Sequence, residues 1–451
     1  MRIKYFDIAR FYLIVSIFIF PLASFWPGPS LVLITDVLIS IVVLDILIRK
    51  RFSYDMRWII ILITLFLFQM FLIMAQDNWN IVLFLQSRSL FMYMVIIFFY
   101  MYTFSNLDSY NLKKMVHFIE VCIKILIGVI LADGIAINFL DMETLLTNVF
   151  QSSIGNYGGG GFGVVFPKIP NGLIFGSQHA SILSVVGIIW WLPGIKKIDT
   201  KDLSQYLWLI LSIIALVFSS TITAMLTLII ALLVILSIIL LRAIIKSISN
   251  YQIRAYQIIR LAFILLVPLT IITIGIFKEK IPIFLKTIVL MPFHLQHKEE
   301  DMLQYGDSIE LKIDRYYAKM VEQPMDAFTN YFSDVLIGVG NSSQGLDIIA
   351  EIGLIYLSVH YGLIFVGILI LLYSFYMFKV IYFIIRNNVK NEENNIIFRL
   401  LLVNLVIVLS LMHYTTFLVH GIKQFFAAVI ALLFVFLKNE YLKKHSYYPG
   451  K

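Results

Sequence analysis

Only one cysteine, Cys122, occurs in the 451 residues, and it lies within an apolar run. An internal disulfide is therefore excluded. Charge of either sign is scarce: Asp, Glu, Lys and Arg make up 14% of the chain, against roughly 25% in soluble globular proteins. Also missing is the ten-residue alternation of membrane β-barrels. What is abundant is apolar surface, with 60% hydrophobic residues and a mean hydropathy of +0.91. Apolar runs of about twenty residues, the length that crosses a ~30 Å hydrocarbon layer, recur from end to end. The expected fold is all-α, a polytopic transmembrane helical bundle forming a single integral membrane domain over 1–451.

Twelve spans are expected, at 8–25, 30–48, 57–75, 81–105, 115–139, 172–193, 205–219, 222–241, 258–277, 346–378, 396–413 and 420–437. The start, "MRIKYFDIARFYLIVSIFIFPLASF", has the charge and apolar core of a signal peptide. A second apolar run follows after only "WPGPS", so it reads as a retained first span. The net charge of +8 does not point to nucleic acid, because its placement follows the membrane. The loops "RKRFSYDMR", "SNLDSYNLKK", "GIKKIDTKDLSQ", "RAIIKSISNYQIRAYQIIR" and "KVIYFIIRNNVKNEENNIIFR", with both termini, hold 24 of the 35 Lys and Arg residues. The positive-inside rule makes these segments and both termini cytoplasmic. Two large excursions, 140–171 and 278–345, are then extracytoplasmic. The second is expected to be partly helical. In "DSIELKIDRYYAKMVEQP", Asp307 can cap a helix, Glu310 completes a capping box and Pro324 follows its end. Ile309, Ile313, Tyr316, Tyr317 and Met320 form its apolar side, and Lys312, Arg315 and Lys319 fall on another face. That basic stripe is either a binding surface or a solvated face balanced by Asp314 and Glu322.

Charges within spans cost about 2.5–3.5 kcal/mol each at mid-helix, so each one calls for a reason. Arg88, Asp36 and Asp133 fall in the outer halves of their spans. Arg88 can snorkel, pair with Asp36 or bind a ligand. Glu120 and Lys124, one turn apart, are expected to pair. In "VVFPKIPNGLIFGSQHASIL", Lys168 and His179 reach the outer mouth of the sixth span, behind the glycine run "GNYGGGGFG". His179 is either a candidate base or a neutral, hydrogen-bonded helix-end residue. "HYTTFLVHGIKQFF" puts His413, His420 and Lys423 around the last outer turn, without a metal spacing such as HExxH. No metal site and no cofactor are expected.

The stretch "VLIGVGNSSQGLDIIAEIGLI", 335–355, leads the second excursion back to the membrane. Asp347 and Glu351 lie one helical turn apart on one face. Two carboxylates so close at a low-dielectric boundary titrate together, and one can serve as a base; alternatively they neutralise Arg315 or Arg88. Gly338, Gly340 and Gly345 can take positive φ or let backbone pass close to a ligand.

The long late outer loop, the "LIGVG" turn and "EIGLIYLSVHYGLI" leading into a span resemble the O-antigen polymerase (Wzy) and oligosaccharide repeat-unit polymerase family, and the related O-antigen ligases. "PNGLIFGSQHASIL" with "FSSTITAMLTLII" is similar to that family's middle region, and the likeness covers about 160–380. Two features depart from the pattern: the ligase-type histidine after "GVG" is absent, and two frequent arginine positions hold Lys168 and Ile222. The resemblance implies a metal-independent glycosyltransferase in the bacterial inner (plasma) membrane. It would polymerise polyprenyl-pyrophosphate-linked oligosaccharide units on the outer face. The donor and acceptor would be the lipid-linked units, with a chain-length regulator protein as a candidate partner. Arg88, Lys168 and Arg315, with Lys319, His420 and Lys423 nearby, would bind pyrophosphate and sugar. Glu351, His179 or Asp347 would be the base. The alternatives are a ligase and a lipid-linked oligosaccharide flippase. The absence of a visible internal repeat weighs against inverted-repeat transporters.

Overall fold

The computed structural model describes residues 2–16, 31–49, 54–76, 81–139, 177–192, 203–219, 222–248, 336–338, 357–358, 360–386, 392–410 and 422–446. These residues form eleven helices and no strand: α1 Arg2–Ile14, α2 Leu31–Arg49, α3 Tyr54–Gln76, α4 Ile81–Ser105, α5 Ser109–Phe139, α6 Ser177–Trp191, α7 Leu203–Ser219, α8 Ile222–Ile248, α9 Leu363–Arg386, α10 Glu392–Ser410 and α11 Ile422–Ser446. Among the described residues, three stretches are long and apolar enough to cross a membrane: Arg57–Ala75, Ser109–Ala136 and Leu363–Ile385. Five shorter apolar helices, Leu90–Ser105, Ala180–Trp191, Leu203–Ser219, Thr227–Ile238 and Asn395–Ser410, accompany them. This is the build of a multi-pass membrane protein.

Eleven of the twelve expected runs overlap a described helix, several of them only in part. The run 258–277 lies outside the described residues. So do the excursion 140–171 with its glycine run, the capped helix over 307–324, and all of 278–345 except 336–338. Several helices overrun the hydropathy boundaries. α5 starts at Ser109, α8 reaches Ile248 and α11 reaches Ser446, because polar helix formers prolong a helix past the apolar stretch. The start of α5 is set by a cap: the Asn111 backbone N–H donates to Asp108 Oδ1 at 2.8 Å. Of the expected span over 346–378, residues 357–358 and 360–378 are described. Gly362 has φ +86° and breaks the helix, and the regular part runs from Leu363 to Arg386.

Helices α4, α6, α10 and α11 form the interior. Every residue from Ala180 to Trp191 is buried, as are Phe98, Phe99, Tyr100 and Phe425 to Val429. The outer helices turn apolar side chains outward: Leu38, Ile41 and Leu44 on α2, Leu233 and Leu236 on α8, Leu371 and Phe375 on α9. Such a surface suits hydrocarbon and would be a liability in water. Lipid offers no hydrophobic drive for helix association, so packing relies on small residues that let backbones approach. A carbon added at Gly134 would lie 2.8 Å from the Phe218 ring, and one at Gly187 would lie 2.6 Å from Ser212 Oγ. The α5–α7 and α6–α7 contacts therefore depend on these glycines. Ser184 and Ser219 add a hydroxyl contact of 3.3 Å between α6 and α7.

Candidate functional site

The site is best located by register. Connections of four residues (50–53 and 77–80) and the turn at 106–108 join α2 to α5, and such short links make neighbours antiparallel. α2 and α4 thus run the same way and α3 runs against them. The Ser40 hydroxyl approaches Met92 Sδ at 3.6 Å, which fixes α2 beside α4. One turn back from each stand Asp36 and Arg88. The rings of Phe66 and Phe91 stack at 6.0 Å, which fixes α3 beside α4. Three residues on in α3 and three back in α4, about 4.5 Å at the helical rise, stand Gln69 and Arg88. Asp36, Gln69 and Arg88 therefore share one level on three adjacent helices.

Two partners reach that level from the C-terminal part of the chain. Lys423 at the start of α11 sends its ammonium to Asp36 (Nζ to Oδ2, 3.6 Å), and both groups are buried, Lys423 completely. The Gln69 side chain donates to the backbone carbonyl of Ile337. Ile337 leads directly into Gly338, whose φ is +96°. Gly338 packs on the broken start of α9: a carbon added to it would meet Tyr361 C at 2.9 Å and Gly362 Cα at 3.1 Å. Tyr361 in turn lies against Phe66, with ring centroids 5.7 Å apart. Ser358 and His360 are buried beside this joint. One helix end of the bundle thus combines an ion pair, an amide, a histidine and a glycine-to-glycine crossing. Asp133, buried near the C-terminal end of α5, belongs to the same end of the bundle.

The opposite end holds a different set of charges. Glu120 and Lys124 form the expected pair at 3.0 Å, and the Lys124 ammonium sits 5.0 Å from the Trp191 ring and 5.8 Å from Trp208. Arg10 lies 4.9 Å from the Phe118 ring. These contacts satisfy the charges and tie α1, α5, α6 and α7 together.

Of the residues singled out by sequence, Lys423 is described with its side chain, at the level of Asp36. It is an enclosed ion-pair partner of Asp36 where sequence put it on an outer turn. Arg88 is placed by the backbone of α4 and His179 by the first turn of α6. Lys168, Arg315, Lys319, Asp347, Glu351 and His420 lie outside the described residues. Gly338 adopts the positive φ anticipated for it, and the backbone it approaches is that of Gly362. Gln69, His360 and Gly362 escaped the sequence reading. Gln69 had a usable signal, as a lone amide inside an apolar run. Among the described residues no three His, Cys, Asp or Glu side chains gather as a metal site would require. No family model matches the chain, nor does any curated protein or solved structure.

Proposed function

We propose that this chain is a membrane glycosyltransferase that polymerises polyprenyl-pyrophosphate-linked oligosaccharide units on the outer face of a bacterial plasma membrane. In this reading it spans the membrane twelve times, both termini are cytoplasmic, and 140–171 and 278–345 are external. The observation that carries it is the level shared by Asp36, Gln69 and Arg88, to which Ile337 and Gly338 bring the end of the long loop. Polar groups at one end of an apolar bundle, met there by a returning loop, suit a substrate with its lipid in the bilayer and its sugars in water.

The chemistry follows from the reactants. An acceptor hydroxyl oxygen attacks sugar C1, the C1–oxygen bond to pyrophosphate breaks, and the bonding pair leaves with the pyrophosphate. The hydroxyl proton passes to a base, for which Glu351, Asp347 and His179 are the candidates. Negative charge grows on the departing pyrophosphate, and cations held in place stabilise it. Arg88, Lys168 and Arg315 take that role, arginine through bidentate contact with phosphate oxygens. Lys319, His420 and Lys423 are the further binding candidates, the last with its charge held by Asp36 in this structure.

The test is polysaccharide from a deletion strain. Single capped repeat units are expected, and long polymer of normal amount would refute the reading. Arg88→Ala and Arg315→Ala should each abolish polymer at normal protein levels; full-length polymer from both would remove them from the site. A second reading, a flippase for the same lipid-linked units, draws on two observations: the enclosed Asp36–Lys423 pair and the helix broken at Gly362. Intramembrane ionisable groups and interrupted helices are common in transporters. Lipid-linked units trapped on the cytoplasmic face of the deletion strain would favour it.

A further inference from the structure

The enclosed ion pair does not stand alone. Gln424, next to Lys423, donates through Nε2 to the Tyr12 hydroxyl at 3.4 Å. The Tyr12 ring lies beside that of Tyr100, with centroids 6.4 Å apart. One turn further along α4 is Thr103, two residues before the helix ends. Tyr100 and Thr103 are buried, and neither the Tyr100 hydroxyl nor Thr103 Oγ1 has a hydrogen-bond partner among the described residues. Polar groups thus line a seam between α1, α2, α4 and α11. It runs from the level of Arg88 to Thr103, fifteen positions on α4 or about 22 Å at the helical rise. That is most of a ~30 Å hydrocarbon layer.

Two features point to water in this seam. A buried hydroxyl without a partner costs about 1–3 kcal/mol, a penalty that bridging water removes. The buried Asp36–Lys423 ion pair and the Gln424–Tyr12 hydrogen bond bring further polar atoms to the same seam, which supplies the several polar partners that a buried water needs.

We infer that Asp36, paired with Lys423, is a proton-binding site inside the membrane domain, reached by water through the seam past Tyr12, Tyr100 and Thr103. This goes beyond the proposed glycosyl transfer and does not depend on it. Adding one proton turns Asp36 into a neutral acid and removes the attraction that draws α2 to α11. Among the described residues, the charged and titratable groups around the seam include Tyr12 and Arg10 on α1, Tyr100 on α4, Cys122 on α5 and Lys423 on α11, with the α4 backbone placing Arg88 at the level of Asp36. Such a site lets the helix contact respond to the proton gradient.

Infrared difference titration of the whole protein in a lipid bilayer tests this directly. The wild type should show a carboxylic acid carbonyl band that appears reversibly as pH falls and shifts promptly in D2O. Asp36→Asn should lose the band and Asp133→Asn should keep it. Lys423→Met should move the titration upward by about one pH unit or more, because the opposite charge no longer favours the carboxylate. In a Cys122→Ala chain, Thr103→Cys should react with a small water-soluble thiol reagent. A band untouched by Asp36→Asn, a titration unmoved in Lys423→Met, a band that does not exchange in D2O, or an unreactive Thr103→Cys would each overturn the inference.

Discussion

At the scale of single residues, the two glycines with positive φ and the enclosed ion pair carry the sharpest expectations. Gly362→Ala should destabilise the protein for two reasons. The left-handed backbone costs an L-residue roughly 1–2 kcal/mol, and the new carbon would lie 2.7 Å from Gln69 Nε2. A lowered melting temperature in detergent, with Gly367→Ala unchanged, is the expected result; Gly367 has open space around it. Lys423→Met should cost about 3–5 kcal/mol by leaving the Asp36 carboxylate enclosed without its counter-charge, and Asp36→Asn/Lys423→Met should recover most of the loss. Thermal unfolding of the three chains measures this. The Glu120–Lys124 pair was legible because its partners are one helical turn apart. The Asp36–Lys423 pair was not, since no local pattern links residues at opposite ends of the chain. Sequence could say that Gly338 tolerates positive φ, yet not that another glycine, in "HYGLI", would meet it.

At the scale of elements, hydropathy located the helices well, because an apolar run of this length has few other places to go. It located their ends less well. Burial in lipid stops at the interface, whereas hydrogen-bonded helix continues into Ser109–Lys114 and Lys438–Ser446. The break at Gly362 was invisible for the converse reason: Ser358 and His360 sit in an otherwise apolar run, so average hydropathy carries on through it. Register between helices decides where the candidate site lies, and it can be checked. In a Cys122→Ala chain, Ser40→Cys with Met92→Cys should form a disulfide efficiently on mild oxidation in membranes. Ser40→Cys with Phe99→Cys, about 10 Å further along α4, should not. Reversed yields would dissolve the level shared by Asp36, Gln69 and Arg88.

For the whole molecule, polarity is arranged inside out: apolar side chains face outward on α2, α8 and α9, and most buried polar groups lie toward one end. Side-specific labelling checks the proposed orientation. In the Cys122→Ala chain, Lys4→Cys and Ser446→Cys should react only with reagent on the cytoplasmic side, and Ser152→Cys only from outside. Reaction of Lys4→Cys from outside would reverse it. The general class was legible because composition alone sets it, whereas most of the base candidates and of the cation set depend on 140–176, 278–335 and 339–356, whose relation to the bundle no periodicity specifies. The Asp36–Lys423 pair also bears on biogenesis. Asp36 leaves the ribosome 387 residues before Lys423, a wait of roughly 20–80 s at ordinary translation speeds. Throughout that interval the nascent chain holds the Asp36 carboxylate without Lys423, so early insertion relies on another companion, of which Arg88 at the same level is made first, or on a delayed entry of α2.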